Sequence, residues 1–230
     1  MKLSVGTVLS LIAATASMVN AHATLQYIND NSDVVRAPPS NNPVMDVTSS
    51  DMACNVNGGT PKSSVLTVAA GSSVTLEWHH GGRDTQAIDP SHKGPVITYL
   101  AKVPDATTAT NPASLKWFKI YQDGLSGETW GVDKLVANNG KYTHTIPSSI
   151  PSGDYLIRSE IIALHAAGTY PGAQFYMGCG QLRVTGGGNA NPPTVSLPGA
   201  YKGTDAGIQI SIYYPKVTNY IVPGPAVFSG

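Results

Sequence analysis

Short apolar runs alternate with glycine- and proline-rich breaks along the whole chain, and this alternation limits its fold more than any other feature. With 24 Gly and 17 Pro in 230 residues, long helices are interrupted wherever they might start. Over residues 74–78, Val74, Leu76 and Trp78 share one face while Thr75 and Glu77 share the other, the period-two signature of a half-buried strand. Residues 95–103 form a nearly continuous apolar run, as expected of a central strand. Further strands are expected over residues 64–70, 116–121, 142–146, 155–164, 181–185 and 208–213. Residues 130–138 suit one or two helical turns. Many short strands with Gly, Pro and Asn turns imply an all-β fold, an immunoglobulin/fibronectin-like antiparallel β-sandwich with long loops and short helical turns.

The first residues read as a secretory signal. Lys2 supplies a positive start, an apolar stretch follows over residues 5–19, and Val19-Asn20-Ala21 is an acceptable cleavage site. The stretch is short and broken by Gly6, Ser10, Thr15 and Ser17, so it predicts removal of residues 1–21 rather than a membrane anchor. The expected product is a secreted, extracellular chain of one domain, residues 22–230, starting at His22. In an oxidising compartment the two cysteines, Cys54 and Cys179, are expected to form a disulfide. Lys plus Arg and Asp plus Glu are equal at 14 each, with no basic run, which excludes nucleic acid as a natural partner. A neutral surface suits an uncharged partner.

Cleavage after Ala21 gives the chain its most informative residue. An N-terminal histidine offers two nitrogens to one metal, its α-amine and its ring. The α-amino pKa is about 7.7–8.0, so a metal displaces that proton at little cost. Amine and imidazole suit Cu(II), which heads the divalent affinity order and favours tetragonal nitrogen sites. One more imidazole completes a three-nitrogen set. His92 lies in a loop entering the strand at Val96, and His165 ends the strand over 155–164, so both stand at rims. Gln174 and Tyr176 alternate on one strand face before Cys179. His79 and His80 end a strand, and His144, between two threonines, reads as a structural or surface residue. Hydrolase chemistry is poorly supported: there is no Gly-x-Ser-x-Gly elbow, and nothing pairs Glu77, Asp84, Glu128 or Glu160 in one cleft.

Taken in order, these segments resemble the fungal lytic polysaccharide monooxygenases of auxiliary activity family nine. The carrying stretches are His22 after the signal, SHKGPVITYLAKV (91–103), SLKWFKIYQDGL (114–125), GDYLIRSEIIALHAAG (153–168), YPGAQFYMGCGQLRVTGGG (170–188), PGAYKGTDAGIQISIYY (198–214) and NYIVPGPAVFSG (219–230). They cover nearly the whole mature chain.

The resemblance implies one copper ion per chain, held by a brace of His22 and His92 with Tyr176 on the axis. It implies that His165 and Gln174 hydrogen-bond beside the open copper position. Tyr220 would be an aromatic on a flat glycan-facing surface that also carries His80 and Ser91, and Cys54 and Cys179 would form the family's linking disulfide. The implied activity is oxidative cleavage of β-1,4-linked glucan, cellulose or a hemicellulose, by hydroxylation at C1 and/or C4. O2 or H2O2 is the cosubstrate, and a small reductant or redox protein is the external electron donor. A monomer is expected, with neither a membrane nor an appended carbohydrate-binding module. Only thirteen residues separate His22 from Arg36, where many relatives carry a longer loop with a surface aromatic. A non-catalytic copper- or glycan-binding sandwich would share the fold and even the histidines, but has no use for His165 and Gln174.

Overall fold

A computed structural model describes residues 22–230; the expected signal segment lies outside them. Two sheets stack face to face. The smaller is antiparallel and places β1 (Thr24–Ile28) and β9 (Lys141–Thr145) on either side of β4 (Ser73–His79). The larger runs β2-β11-β10-β5-β6, where β2 is Val35–Arg36, β5 is Val96–Val103, β6 is Phe118–Asp123, β10 is Gly153–Ala163 and β11 is Gln174–Thr185. A two-residue ribbon, β7 (Leu125–Ser126) with β8 (Thr129–Trp130), leads into the single short α-helix of the described residues, α1 (Gly131–Ala137). Among those residues no helix is long and apolar enough to cross a membrane.

The β-sandwich expected from the pattern is the observed fold; β1, β2, β7 and β8 are strands that the pattern did not mark, and two expected stretches depart locally. β3 (Leu66–Ala69) runs parallel to β11, pairing Leu66 with Leu182 and Ala69 with Thr185. Residues 208–213 alternate as a strand would, with Ile208, Ile210 and Ile212 turned inward and Gln209, Ser211 and Tyr213 exposed, yet they form no ladder. Their backbone instead closes a turn onto Asp205, and Ile210 N–H donates to the Ala167 carbonyl at 2.8 Å. Alternation reports which side chains are buried; a strand also needs a free edge beside it.

The large sheet is buried on both faces, which is why its strands read as apolar runs. One face packs Val96, Leu100, Ile157, Ile161 and Leu182 against Leu25, Leu76, Trp78 and Ile146 of the small sheet and its flank. The other packs Ile97, Ala101, Leu156, Ile162 and Met177 under long loops that supply Met52, Trp117, Leu197 and Tyr201. The Cys54–Cys179 disulfide pins the loop of residues 50–57 to that second face, with Cα atoms 5.3 Å apart. Beside it, buried Arg158 donates to the Met52 and Ala53 carbonyls and pairs with buried Glu160, which also accepts from Tyr201 at 2.6 Å. A fully buried ion pair persists only when its remaining polar atoms are satisfied in this way. Glu77, expected on a half-exposed strand face, is buried as well, covered by His79 and by a bidentate Arg83.

Register determines what meets at the rim. Ile161 of β10 lies between Val96 of β5 and Tyr176 of β11, and Ala163 pairs with Gln174. Thr24 of β1 pairs with His79 at the end of β4. The residues just before β1 and β5, just after β4 and β10, and at the start of β11 therefore share one end of the sandwich.

Candidate metal centre

Five of the polar residues singled out in the sequence converge at this rim. The rings of His22 and His92 have centroids 6.0 Å apart at 73°. Tyr176 lies 5.5 Å from the first and 5.9 Å from the second. His165 packs against His92 with centroids 4.2 Å apart. The Tyr176 hydroxyl donates to Gln174 Oε1 at 2.6 Å.

The backbone explains the closeness of His92 and His165. Leu164 N–H donates to the Lys93 carbonyl at 2.8 Å and Ile162 N–H to the Pro95 carbonyl at 3.2 Å, so the two loops continue the β5–β10 ladder to its end. Gly94 permits this approach, because a Cβ there would lie 1.8 Å from the Ile162 carbonyl oxygen.

The electrostatics favour neutral, ligand-ready imidazoles. Burial lowers the His92 pKa to about 4, helped by His165 and His22 and opposed by Asp89. Burial also lowers His22 and His165. A neutral ring binds a metal without first losing a proton. Burial pushes the Tyr176 phenol up, so it stays protonated, with its proton committed to Gln174. Its oxygen lone pairs remain free, and the Gln174 amide keeps its N–H donors.

His92 Nε2 is buried with no hydrogen-bond partner, as is His165 Nδ1. A buried unpaired imidazole nitrogen is costly and calls for a missing partner. Among the described residues no group of three or more His, Cys, Asp or Glu side chains could hold a metal. A chain that begins at His22 would add its α-amine to the two rings as a third nitrogen. Imidazole–metal bonds of about 2 Å fit two rings at this separation, and an all-nitrogen set suits copper. The residues present fit a copper ion.

The surface residues fall out differently. Ser91 is exposed, with Oγ 3.4 Å from His92 Nδ1. His80 is half-buried, and its Nδ1 lies 2.7 Å from the His22 carbonyl oxygen. Tyr220 is partly exposed. It leans edge-on against Trp130 at 4.9 Å and its hydroxyl donates inward to the Gly207 carbonyl at 2.7 Å. The most exposed of the described tyrosines, ahead of Tyr170 at 39%, are Tyr213 and Tyr214, at 68% and 88% exposure. Their loop is tied to the loop of His165 through the Ile210–Ala167 hydrogen bond.

Fold and site together give a β-sandwich with His22, His92, His165, Gln174 and Tyr176 gathered on one open rim. The sequence profile of Auxiliary Activity family 9 (formerly GH61) matches residues 10–220. AA9 family lytic polysaccharide monooxygenase C of Thermothelomyces thermophilus is 45% identical over 230 residues, covering 95% of this chain and 97% of that one. The solved structure of CvAA9A superposes with a TM-score of 0.84 at 34% identity, covering 90% of this chain and 98% of its own. A cellulose-active polysaccharide monooxygenase from M. thermophila gives 0.77 at 28% identity, covering 91% and 100%. The chain belongs to Auxiliary Activity family 9 and is a lytic polysaccharide monooxygenase. The family's activity is copper-dependent oxidative cleavage of polysaccharides, with a reductant and O2 or H2O2 as cosubstrates.

Proposed function

We propose that the mature, secreted, monomeric chain begins at His22, binds one copper ion and cleaves β-1,4-glucan, with cellulose as the principal substrate. The observation that carries this is the buried, unpartnered Nε2 of His92 beside the His22 ring and Tyr176. The His22 amine and ring and the His92 ring would hold the ion, with the Tyr176 ring beside them. Once bound and reduced by an external electron donor, copper would supply one-electron chemistry with O2 or H2O2, leading to hydroxylation at C1 or C4 with water as the coproduct. The protein's own residues do the rest. Tyr176 remains neutral because it is buried, and its hydroxyl donates to Gln174 Oε1. Gln174 N–H and the His165 ring are left to orient the oxygen cosubstrate and to hold or pass a proton beside it. The exposed rings of Tyr213 and Tyr214 offer apolar faces to glucosyl C–H surfaces, and Ser91 adds a polar contact at the same rim. The M. thermophila relative, described as cellulose-active, supports the choice of substrate.

Mass spectrometry of products from cellulose, with ascorbate and with or without chelator, tests the reading. Oxidised oligosaccharides that vanish with chelator are expected. Unoxidised, chelator-insensitive products would point to hydrolysis, and no products with tight copper binding to a carrier.

A further inference from the structure

We propose that His80 is a positioning residue for the metal centre, its Nδ1–H clamping the carbonyl of His22. This rests on His22 being a copper ligand. A chain's first residue is free to fray unless something ties it down. The β1–β4 ladder starts only at Thr24, paired with His79, so His22 lies beyond the last strand pair. The 2.7 Å contact from His80 Nδ1 to the His22 carbonyl oxygen is the tie. A carbonyl oxygen can only accept, so Nδ1 carries the proton. The Asn41 side-chain amide is 3.2 Å from the same nitrogen, but the other tautomer would set two acceptors face to face at the shorter contact. The shorter contact therefore decides the tautomer, leaving His80 Nε2 as the acceptor.

His80 is itself well held. Its backbone N–H donates to the Gln86 carbonyl at 2.9 Å. Gln26 Nε2 donates to the carbonyls on either side of it, His79 at 3.1 Å and Gly81 at 2.7 Å. Fixing the His22 carbonyl restrains rotation about the Cα–C bond of the residue whose amine and ring must converge on one ion. An anchor that orients a ligand without touching the metal typically matters by about 10–100-fold in affinity.

His80→Leu removes the donor, while His80→Asn keeps an N–H near the Nδ1 position. Copper affinity by calorimetry and the Cu(II) paramagnetic spectrum are measured on mature protein, with melting of each apo form as the folding control. We expect His80→Leu to lose at least tenfold in copper affinity and to show an altered or heterogeneous spectrum, with His80→Asn close to wild type in both. Wild-type affinity and spectrum in folded His80→Leu would overturn the proposal, as would equal losses in Leu and Asn variants that melt like wild type. A general loss of fold would lower apo melting in both variants and likewise remove the clamp as the cause. Wild-type protein that binds no copper would instead overturn the assignment of His22 on which the clamp rests.

Discussion

The imidazole of His165 lies 4.2 Å from that of His92, centroid to centroid, although 72 residues separate them in the chain. The pairing depends on Gly94, since any side chain there would meet the Ile162 carbonyl. Gly94→Ala must part the ends of β5 and β10, at a cost of about 1–3 kcal/mol for a clash of this kind. Its melting temperature is expected to fall and its copper affinity to weaken. Gly168→Ala, where a Cβ meets nothing within 4 Å, serves as the control and should change neither. Normal copper binding by Gly94→Ala would show that the rim tolerates separation of the two loops.

Tyr220 and the Tyr213–Tyr214 pair are expected to separate stability from adsorption. Tyr220→Phe loses the bond to the Gly207 carbonyl, about 0.5–1.5 kcal/mol, and should bind cellulose normally. Tyr213→Ala and Tyr214→Ala remove exposed rings and should weaken adsorption while leaving melting unchanged. Depletion of protein from solution over cellulose measures the first property and thermal unfolding the second. Weakened adsorption by Tyr220→Phe alone would reverse the assignment.

These tyrosines mark where the sequence stops being legible. The central strands of the large sheet are readable, because Val96, Ile97, Leu100, Ile157 and Ile161 are local apolar signals; β2 carries no such signal, and the run marked for β11 covers only residues 181–185. β1, with its mixed Thr-Leu-Gln-Tyr-Ile, was not, since it becomes a strand by pairing with β4. His92, His165, Gln174 and Tyr176 stood out because each ends or opens a readable strand, and register then brings those ends together. Tyr220 and Tyr213 look alike in sequence; what separates them is Trp130, from a distant segment, and the carbonyl of Gly207. The task of His80 likewise depends on a carbonyl 58 residues away.

Stability of the apo protein should depend on pH through His144. Its ring is buried, stacks on Tyr121 at 4.9 Å, and Nε2 meets Thr98 Oγ1 at 3.1 Å. Burial lowers its pKa to about 4, against 6.5 when exposed. Between those values the unfolded chain binds a proton that the folded chain refuses. Stability therefore rises as pH rises through the window and levels off above it. His144→Phe keeps an aromatic ring and should flatten this dependence by up to one proton, measured as the difference between two apo denaturation series so that the rim histidines cancel. Parallel curves would mean that His144 is protonated in the fold.

Copper binding should require a free N-terminus at His22. One Gly ahead of it converts the amine into an amide, a far poorer ligand, and tight binding should be lost. His92→Ala removes the buried unpaired Nε2 and should act similarly, whereas His144→Phe should bind copper as wild type does. Calorimetry and the paramagnetic spectrum measure this. A Gly-extended chain that kept wild-type affinity and the same three-nitrogen signal would rule out the amine as a ligand.

On the proposed function Gln174 has two jobs that substitution can separate. Its Oε1 accepts the hydrogen bond from the Tyr176 hydroxyl at 2.6 Å, and its amide N–H groups would serve the oxygen cosubstrate. Gln174→Leu ends both: Tyr176, buried, loses its acceptor at a cost of about 1–3 kcal/mol, and the donor disappears. Gln174→Glu keeps an acceptor for Tyr176 but, when ionised, has no donor. Both variants should bind copper, and only the Leu variant should melt markedly lower. Both should lose cleavage by about 10²–10³ per copper-loaded molecule, the usual effect of removing one preorganised donor. His165→Ala should fall in the same range without disturbing the Tyr176 bond. If Gln174→Glu and His165→Ala, folded and copper-loaded, cleave cellulose at near wild-type rates, these two residues only brace the rim and the oxygen cosubstrate is oriented by something else.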